Sequence, residues 1–190
     1  MAQNKPRNGA YPGPLGIIIV SKESINRLII NYHNARKSWE GWCFINNIDL
    51  DPPRRQIREL TDTNDFLYYL RYLLNKDMHI ELYKIIKGNK NTTDNIFKLL
   101  RKVNSVDANN HLEELNSFSK EIKSITDCRD KFYAHLDPNY EDYLENFEVS
   151  NYYKLFALVE KAIIILGYEN ELLQTLEKIP SRNEFTLPSS

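Results

Sequence analysis

The chain has 190 residues, of which 42% are hydrophobic and 12% aromatic, so it has enough apolar material for one buried core and is not wholly disordered. Its formal net charge is −1, which excludes a generally basic nucleic-acid coat and restricts any contact with nucleic acid to a local patch. The two cysteines, Cys43 and Cys128, lie far apart without a paired framework, a pattern that favours reduced thiols in a cytoplasmic protein.

Residues 1–20 contain Asn, Pro and Gly and predict a flexible N-terminal arm. The apolar run at residues 15–20 follows two basic residues, as in a signal peptide, but it is too short and has no small-residue cleavage site. No stretch approaches the roughly 18 apolar residues of a membrane span. We therefore expect a soluble cytoplasmic protein without a membrane partner.

Apolar residues recur at three- and four-residue steps along residues 21–179, which is the period of amphipathic helices. This pattern predicts one all-α domain, a bundle of about five to six helices without a sheet, and a C-terminal tail at residues 180–190. Residues typical of helix N-caps mark the predicted helix starts, at Ser21, at 61–63, at 92–94 and at 105–109.

A basic segment covers residues 84–102, with six basic residues and one acid, Asp94. Within it, Lys98, Arg101 and Lys102 have the i, i+3 and i+4 spacing that puts side chains on one helix face. Such a face either contacts the phosphate backbone of a nucleic acid or is an ordinary solvated surface. The sequence leaves both interpretations open.

The fourth predicted helix is the longest and ends near His135, because Pro138 disfavours helical geometry at the residue before it. Its apolar residues form a packing seam, the line along which the helix contacts its neighbours. They keep a regular three- and four-residue step only if Arg129 is one of the residues on this seam. We therefore expect Arg129 on a buried seam, where a charge costs stability unless it is paired or used.

Arg129 is followed directly by Asp130, and His135 comes six residues after the arginine. The spacing itself is not specific, since Arg27 and His33 repeat it elsewhere in the chain. The later pair differs in placement, because its histidine ends a helix. The unpaired carbonyls there favour a protonated imidazole, which suits a general acid or base near neutral pH.

Helix geometry indicates that one copy of this segment does not easily form a compact site. Six residues turn a helix by about 600°, which leaves the Arg129 and His135 side chains about 120° and about 9 Å apart. A two-fold pairing of this helix with its copy would bring two arginines and two histidines together. We therefore expect a homodimer with a composite site at residues 127–137.

The stretch RDKFYAH at residues 129–135 resembles the signature of the HEPN superfamily, an Arg, a polar residue and a following His at the end of a long bundle helix. The extended stretch RDKFYAHLD and the chain length resemble most closely the HEPN proteins of the AbiU type from abortive-infection systems. The resemblance implies a homodimeric, metal-independent ribonuclease that acts in phage defence or as a toxin-type effector. It implies no cofactor, and it leaves room for an antitoxin or regulatory partner.

The resemblance also implies a role for each matching residue. Arg129 would orient the scissile phosphate and stabilise its developing charge, and Asp130 would position a neighbouring side chain. His135 would act as general base or acid towards the ribose 2′-hydroxyl or the leaving oxygen. Lys131, inside the matching stretch, joins Lys98, Arg101 and Lys102 as a candidate contact to the RNA backbone.

One position departs from the family pattern. HEPN ribonucleases that an antitoxin modifies often have a Tyr two positions after the His, where this chain has Asp137. The nearest tyrosine is Tyr140, so the pattern does not imply control by such a modification.

Two other functions fit the same residues. In a non-catalytic helical interaction module, Arg129 would pair with an acid and His135 would cap its helix. In a protein that binds RNA without cutting it, the Lys98, Arg101 and Lys102 face would carry the function.

Overall fold

The structure is a computed structural model that describes residues 20–50, 52–88, 95–133 and 148–186. For residues 131–133 it describes the backbone only. Over these ranges the chain is all-α and contains no strand, which confirms the predicted helical bundle for the part of the chain described. None of the helices in these ranges combines the length and the apolar character needed to cross a bilayer.

Eight α-helices and one π-helical turn make up the described part of the chain. In chain order they are α1 (Lys22–Ile45), α2 (Arg55–Thr63), α3 (Asp65–Ile86), α4 (Ile96–Val103), α5 (Val106–Ser117), α6 (Ser119–Asp127), the π-helical turn (Cys128–Tyr133), α7 (Val149–Ile165) and α8 (Glu169–Leu176).

The helix count exceeds the predicted five to six because two breaks lack a proline or glycine signal. Asn64 adopts an extended conformation between α2 and α3, and its side chain caps α3 by accepting a hydrogen bond from the Leu67 amide. Phe118 leaves helical geometry between α5 and α6 and is itself buried. The predicted cap at 61–63 is therefore wrong, since those residues end α2 instead.

Serine and asparagine side chains also cap α1, α4 and α5, at or near the predicted places. Ser21 caps α1 and Ser105 caps α5, each by accepting a hydrogen bond from a main-chain amide of the first turn. The cap predicted at 92–94 lies outside the described residues, and the residue that caps α4 is Asn95. Its buried amide accepts from the Lys98 main chain at 2.9 Å and donates to the Lys87 carbonyl at 3.1 Å.

The core is built around α1, which packs along α3, and α7, which contacts α1, α4, α5 and α8. Trp39 of α1 is fully buried and stacks on Tyr152 of α7 with 5.4 Å between ring centroids. Seven residues of α7 are buried. Burial of these aromatic rings, together with the aliphatic side chains of the same core, stabilises the packing of α1 on α7.

Burial of Arg129 differs from the seam prediction. Cys128 is the buried residue at the start of the π-helical turn, whereas the Arg129 side chain is 36% exposed. Arg129 does face a neighbouring helix, because its guanidinium lies over the Tyr83 ring of α3. The prediction that Arg129 is buried is therefore wrong, and the guanidinium is partly exposed beside the end of α3 at Ile86.

The segment after α8, predicted as the start of a tail, packs against α1 as far as it is described. The Arg182 side chain is buried and forms an ion pair with Glu40, with Nε and Oε2 2.9 Å apart. The Phe185 ring packs on Phe44 at 5.3 Å. Residues 181–186 thus belong to the packed structure rather than to a detached tail.

Candidate functional site

The π-helical turn presents an arginine and an aspartate side by side. Arg129 Nη1 donates to Asp130 Oδ1 at 2.9 Å, and both side chains are about one-third exposed. Within the described part of the chain, this is the hydrogen bond that the Arg129 guanidinium makes, so Nε and Nη2 remain available to a ligand. The pair is therefore held in place yet still accessible from solvent.

Tyr83 of α3 and Lys87, the residue that directly follows α3, hold this pair. Lys87 Nζ donates to Asp130 Oδ2 at 3.0 Å, so each oxygen of the carboxylate receives a bond from a different cation. The Arg129 guanidinium lies 4.4 Å from the centroid of the Tyr83 ring, a cation–π distance. Tyr83 and Lys87 can act together because residues four apart share a helix face.

The charge state of Asp130 follows from its two cationic partners. Burial raises the pKa of its carboxyl, but the hydrogen bonds from Lys87 and Arg129 outweigh that effect and lower the pKa below its usual range. The hydrogen bond to Asp130 raises the pKa of the Lys87 ammonium, and burial opposes that rise. At neutral pH Asp130 is thus an ionised acceptor, suited to positioning Arg129 and unsuited to transferring a proton.

A groove of about 610 Å³ lies between α4 and α6, next to the end of α3. Among the residues that the structure describes, its charged lining consists of four basic side chains and one acidic side chain: Lys87, Lys98, Arg101, Lys123 and Asp127. Of the three residues predicted as an RNA-contacting face, Lys98 and Arg101 line this groove. Lys102 is exposed and lies outside the lining.

Lys87 connects two features that the sequence presents separately. It lines the α4–α6 groove, and its ammonium binds the Asp130 carboxylate. The basic segment of residues 84–102 and the Arg129–Asp130 pair are therefore parts of one surface. Sequence reasoning missed Lys87 and Tyr83 as site residues, although their four-residue spacing inside or beside the basic segment was the available signal.

The remaining predicted site residues fall outside what the structure describes. His135 lies outside the described ranges, and only the backbone of Lys131 is described. The approach of His135 to Arg129, and the meeting of two copies at residues 127–137, therefore stay predictions.

Two further histidines are structural. His79 is fully buried, with Nδ1 2.8 Å from the Asn75 carbonyl and Nε2 2.8 Å from the Tyr152 hydroxyl. A carbonyl can only accept, so Nδ1 donates and Nε2 accepts from the tyrosine. Burial lowers the pKa of His79 to about 4, which keeps the ring neutral at physiological pH.

His111 has acceptors at both ring nitrogens. Its Nε2 lies 2.9 Å from the Leu158 carbonyl and its Nδ1 lies 3.0 Å from the Glu114 carboxylate. A carbonyl can only accept, so Nε2 donates to Leu158, and this bond ties α5 to α7. No group of three or more His, Cys, Asp or Glu side chains is arranged for a metal ion in the described ranges.

Comparison of the chain with protein-family models, with curated proteins and with solved structures finds no match.

Proposed function

We propose that this protein is a metal-independent endoribonuclease of the HEPN type, which cleaves RNA by attack of a ribose 2′-hydroxyl and acts as a homodimer in phage defence or as a toxin-type effector. The observation that carries the proposal is the accessible Arg129 guanidinium, held by Asp130 and Tyr83 beside a basic groove. An antitoxin or regulatory partner would restrain such an activity in the cell.

The geometry of Arg129 suits a phosphate ligand. One nitrogen binds Asp130 and one face rests on Tyr83, so the plane of the guanidinium is fixed before a ligand arrives. Its other two nitrogens can donate in parallel to two phosphate oxygens. Donors that are already oriented stabilise the charge of a transition state without reorganising, which is the usual basis of electrostatic catalysis.

The chemistry divides between two residues. His135 takes the proton of the 2′-hydroxyl, whose oxygen then attacks the adjacent phosphorus and displaces the 5′-oxygen of the next nucleotide. The products are a 2′,3′-cyclic phosphate and a 5′-hydroxyl, which receives the proton. Arg129 neutralises the charge that builds up on the phosphate oxygens, and ionised Asp130 keeps Arg129 in place.

The direct test is cleavage of a 5′-labelled single-stranded RNA in EDTA. We expect wild type to cleave, and Arg129→Ala and His135→Ala each to lower the rate by about 100-fold or more. Arg27→Ala and His33→Ala are matched controls, because they have the same six-residue spacing, and the Arg27 side chain is exposed and paired with Glu23. Loss of activity in EDTA, or full activity of both site variants, would overturn the mechanism.

A second candidate function is a non-catalytic module that binds RNA or a protein partner. The favouring observation is that Arg129 already has an acidic partner, as a purely structural arginine would. That function predicts a folded protein without cleavage, in which Arg129→Ala lowers the free energy of unfolding and has no other effect. The cleavage assay separates the two candidates.

A further inference from the structure

The lining of the α4–α6 groove combines basic and apolar side chains. Lys98 and Arg101 of α4 face Lys123 of α6 across it, and its apolar lining includes Phe97 and Ile122. A basic track beside an aromatic side chain is the arrangement with which proteins bind single-stranded nucleic acid, since phosphates follow the charges and a base can stack on a ring.

Positive charge is concentrated at this groove, although the whole chain has a net charge of −1. Its one acidic lining residue within the described ranges, Asp127, forms an ion pair with Lys123. Arg101 is exposed, and the part of the chain that the structure describes provides no acid to pair with it.

The dimensions favour a short single strand over a duplex. The eight residues of α4 span about 12 Å, whereas domains that recognise double-stranded RNA reach across two successive minor grooves. Lys87 lines the groove, and its ammonium is bonded to Asp130, the partner of Arg129. A strand in the groove would thus continue towards Arg129.

We propose that the α4–α6 groove binds the backbone of single-stranded RNA next to the bond that is cut, with Lys98 and Arg101 as phosphate contacts. The assignment of the groove as a substrate track rests on the proposed ribonuclease function. The phosphate contacts do not include Lys102, which lies on the same helix outside the groove. Asp127 opposes binding, because it places a negative charge on the groove wall.

The test is the affinity of a fluorescent 12-nucleotide single-stranded RNA, measured by anisotropy at several salt concentrations. His135→Ala is the background, so that the RNA is not consumed. We expect Lys98→Ala with Arg101→Ala to weaken binding at least tenfold, and to reduce the salt slope of log K by about 1.4, which is about 0.7 per lost phosphate contact. Asp127→Asn should strengthen binding.

Lys102→Ala is the matched control, since it removes an exposed basic residue from the same helix. We expect its affinity to stay within about twofold of the background. If Lys102→Ala weakened RNA binding as much as Arg101→Ala, the groove would not be the binding site, and the loss of affinity would reflect overall charge. Tighter binding of duplex RNA, or equal binding of a polyglutamate peptide, would overturn the assignment to single-stranded RNA.

The test also separates the groove from the ribonuclease function. If the groove binds RNA as expected but wild type does not cleave, the proposed activity fails and the binding site stands. If wild type cleaves, and Lys98→Ala with Arg101→Ala leaves KM unchanged, the groove fails and the activity stands. Circular dichroism of each variant identifies a loss of folding, which is not expected for exposed Arg101.

Discussion

Lys87 Nζ and Asp130 Oδ2 lie 3.0 Å apart, although the two residues are 43 positions apart in the chain. This contact fixes the π-helical turn against the end of α3. It also places the ammonium of a groove residue next to the partner of Arg129. The orientation of Arg129 therefore depends on a residue outside its own helix.

Loss of the Lys87 ammonium should impair chemistry more than folding. Lys87→Met leaves one oxygen of Asp130 without its bond, so the carboxylate can rotate and Arg129 loses its fixed plane. We expect kcat for RNA cleavage to fall by about 10-fold to 100-fold and the free energy of unfolding by about 1 kcal/mol or less, because the pair is partly exposed.

Lys87→Arg should restore much of kcat, which a purely structural role of Lys87 does not predict. Lys120→Met is the control for loss of one exposed positive charge near the groove. Equal kcat for Lys87→Met and wild type would contradict a positioning role.

Buried His79 should make the protein less stable in mild acid. Its folded pKa of about 4 lies below the ordinary value of 6.5, so below pH 6.5 the unfolded chain binds a proton that the folded chain does not. Stability is therefore lost as pH falls from 6.5 towards 4, by about 3 kcal/mol in total for this group. Urea unfolding at pH 7 and pH 4.5 measures the loss.

His79→Gln cannot titrate and isolates this contribution. We expect its free energy of unfolding to be lower than that of wild type at pH 7 and to change less between the two pH values. A wild type and variant with parallel pH dependence would show that the His79 ring is charged or accessible in the folded protein.

The Arg182–Glu40 ion pair should contribute strongly to folding. Arg182→Met leaves the buried Glu40 carboxylate with Arg36 as its remaining cation, at 3.1 Å. We expect a loss of about 3 kcal/mol, at the lower end for a broken buried pair because Arg36 remains. This corresponds to a melting temperature lower by about 6–12 °C.

Arg55→Met is the matched control, since it breaks an ion pair with Glu59 in which the Arg55 side chain is 91% exposed. Its cost should not exceed about 0.5 kcal/mol. If the two variants melted at the same temperature, residues 181–186 would not be part of the cooperative fold.

The Cys128 thiol should report on opening of the π-helical turn. Burial raises its pKa to about 12, so at pH 8 only about one molecule in 10,000 carries the reactive thiolate. In a Cys43→Ala background we expect slow labelling by a disulfide reagent without denaturant and fast labelling in urea. Fast labelling of the native protein would indicate that the turn opens readily.

Local patterns predicted most of the fold because they depend on neighbouring residues. The three- and four-residue apolar steps indicated the helices, and the caps at Ser21 and Ser105 were readable from the side chains themselves. The break at Phe118 was not, because an aromatic residue gives no helix-stop signal and the break depends on its burial. The helix break at Phe118 therefore follows from tertiary packing and not from local helix propensity.

The candidate site was only partly predictable for the same reason. Arg129 and Asp130 could be found as neighbours in a recognisable stretch. Their contacts with Lys87 and Tyr83 join distant parts of the chain, and a periodic pattern carries no information about such pairs. Arg129 faces its neighbouring helix, as its position in the apolar pattern predicts, but the pattern does not show that α3 ends beside it.

Asn95 gives the two halves of the surface a common anchor. Its single amide is bonded to the main chain of Lys87 on one side and of Lys98 on the other. Under the proposed function, Lys87 orients Arg129 through Asp130, and Lys98 contacts the RNA backbone. The main-chain positions of Lys87 and Lys98 are thus linked through one side chain, and under the proposed function the RNA would be cleaved close to where it is held.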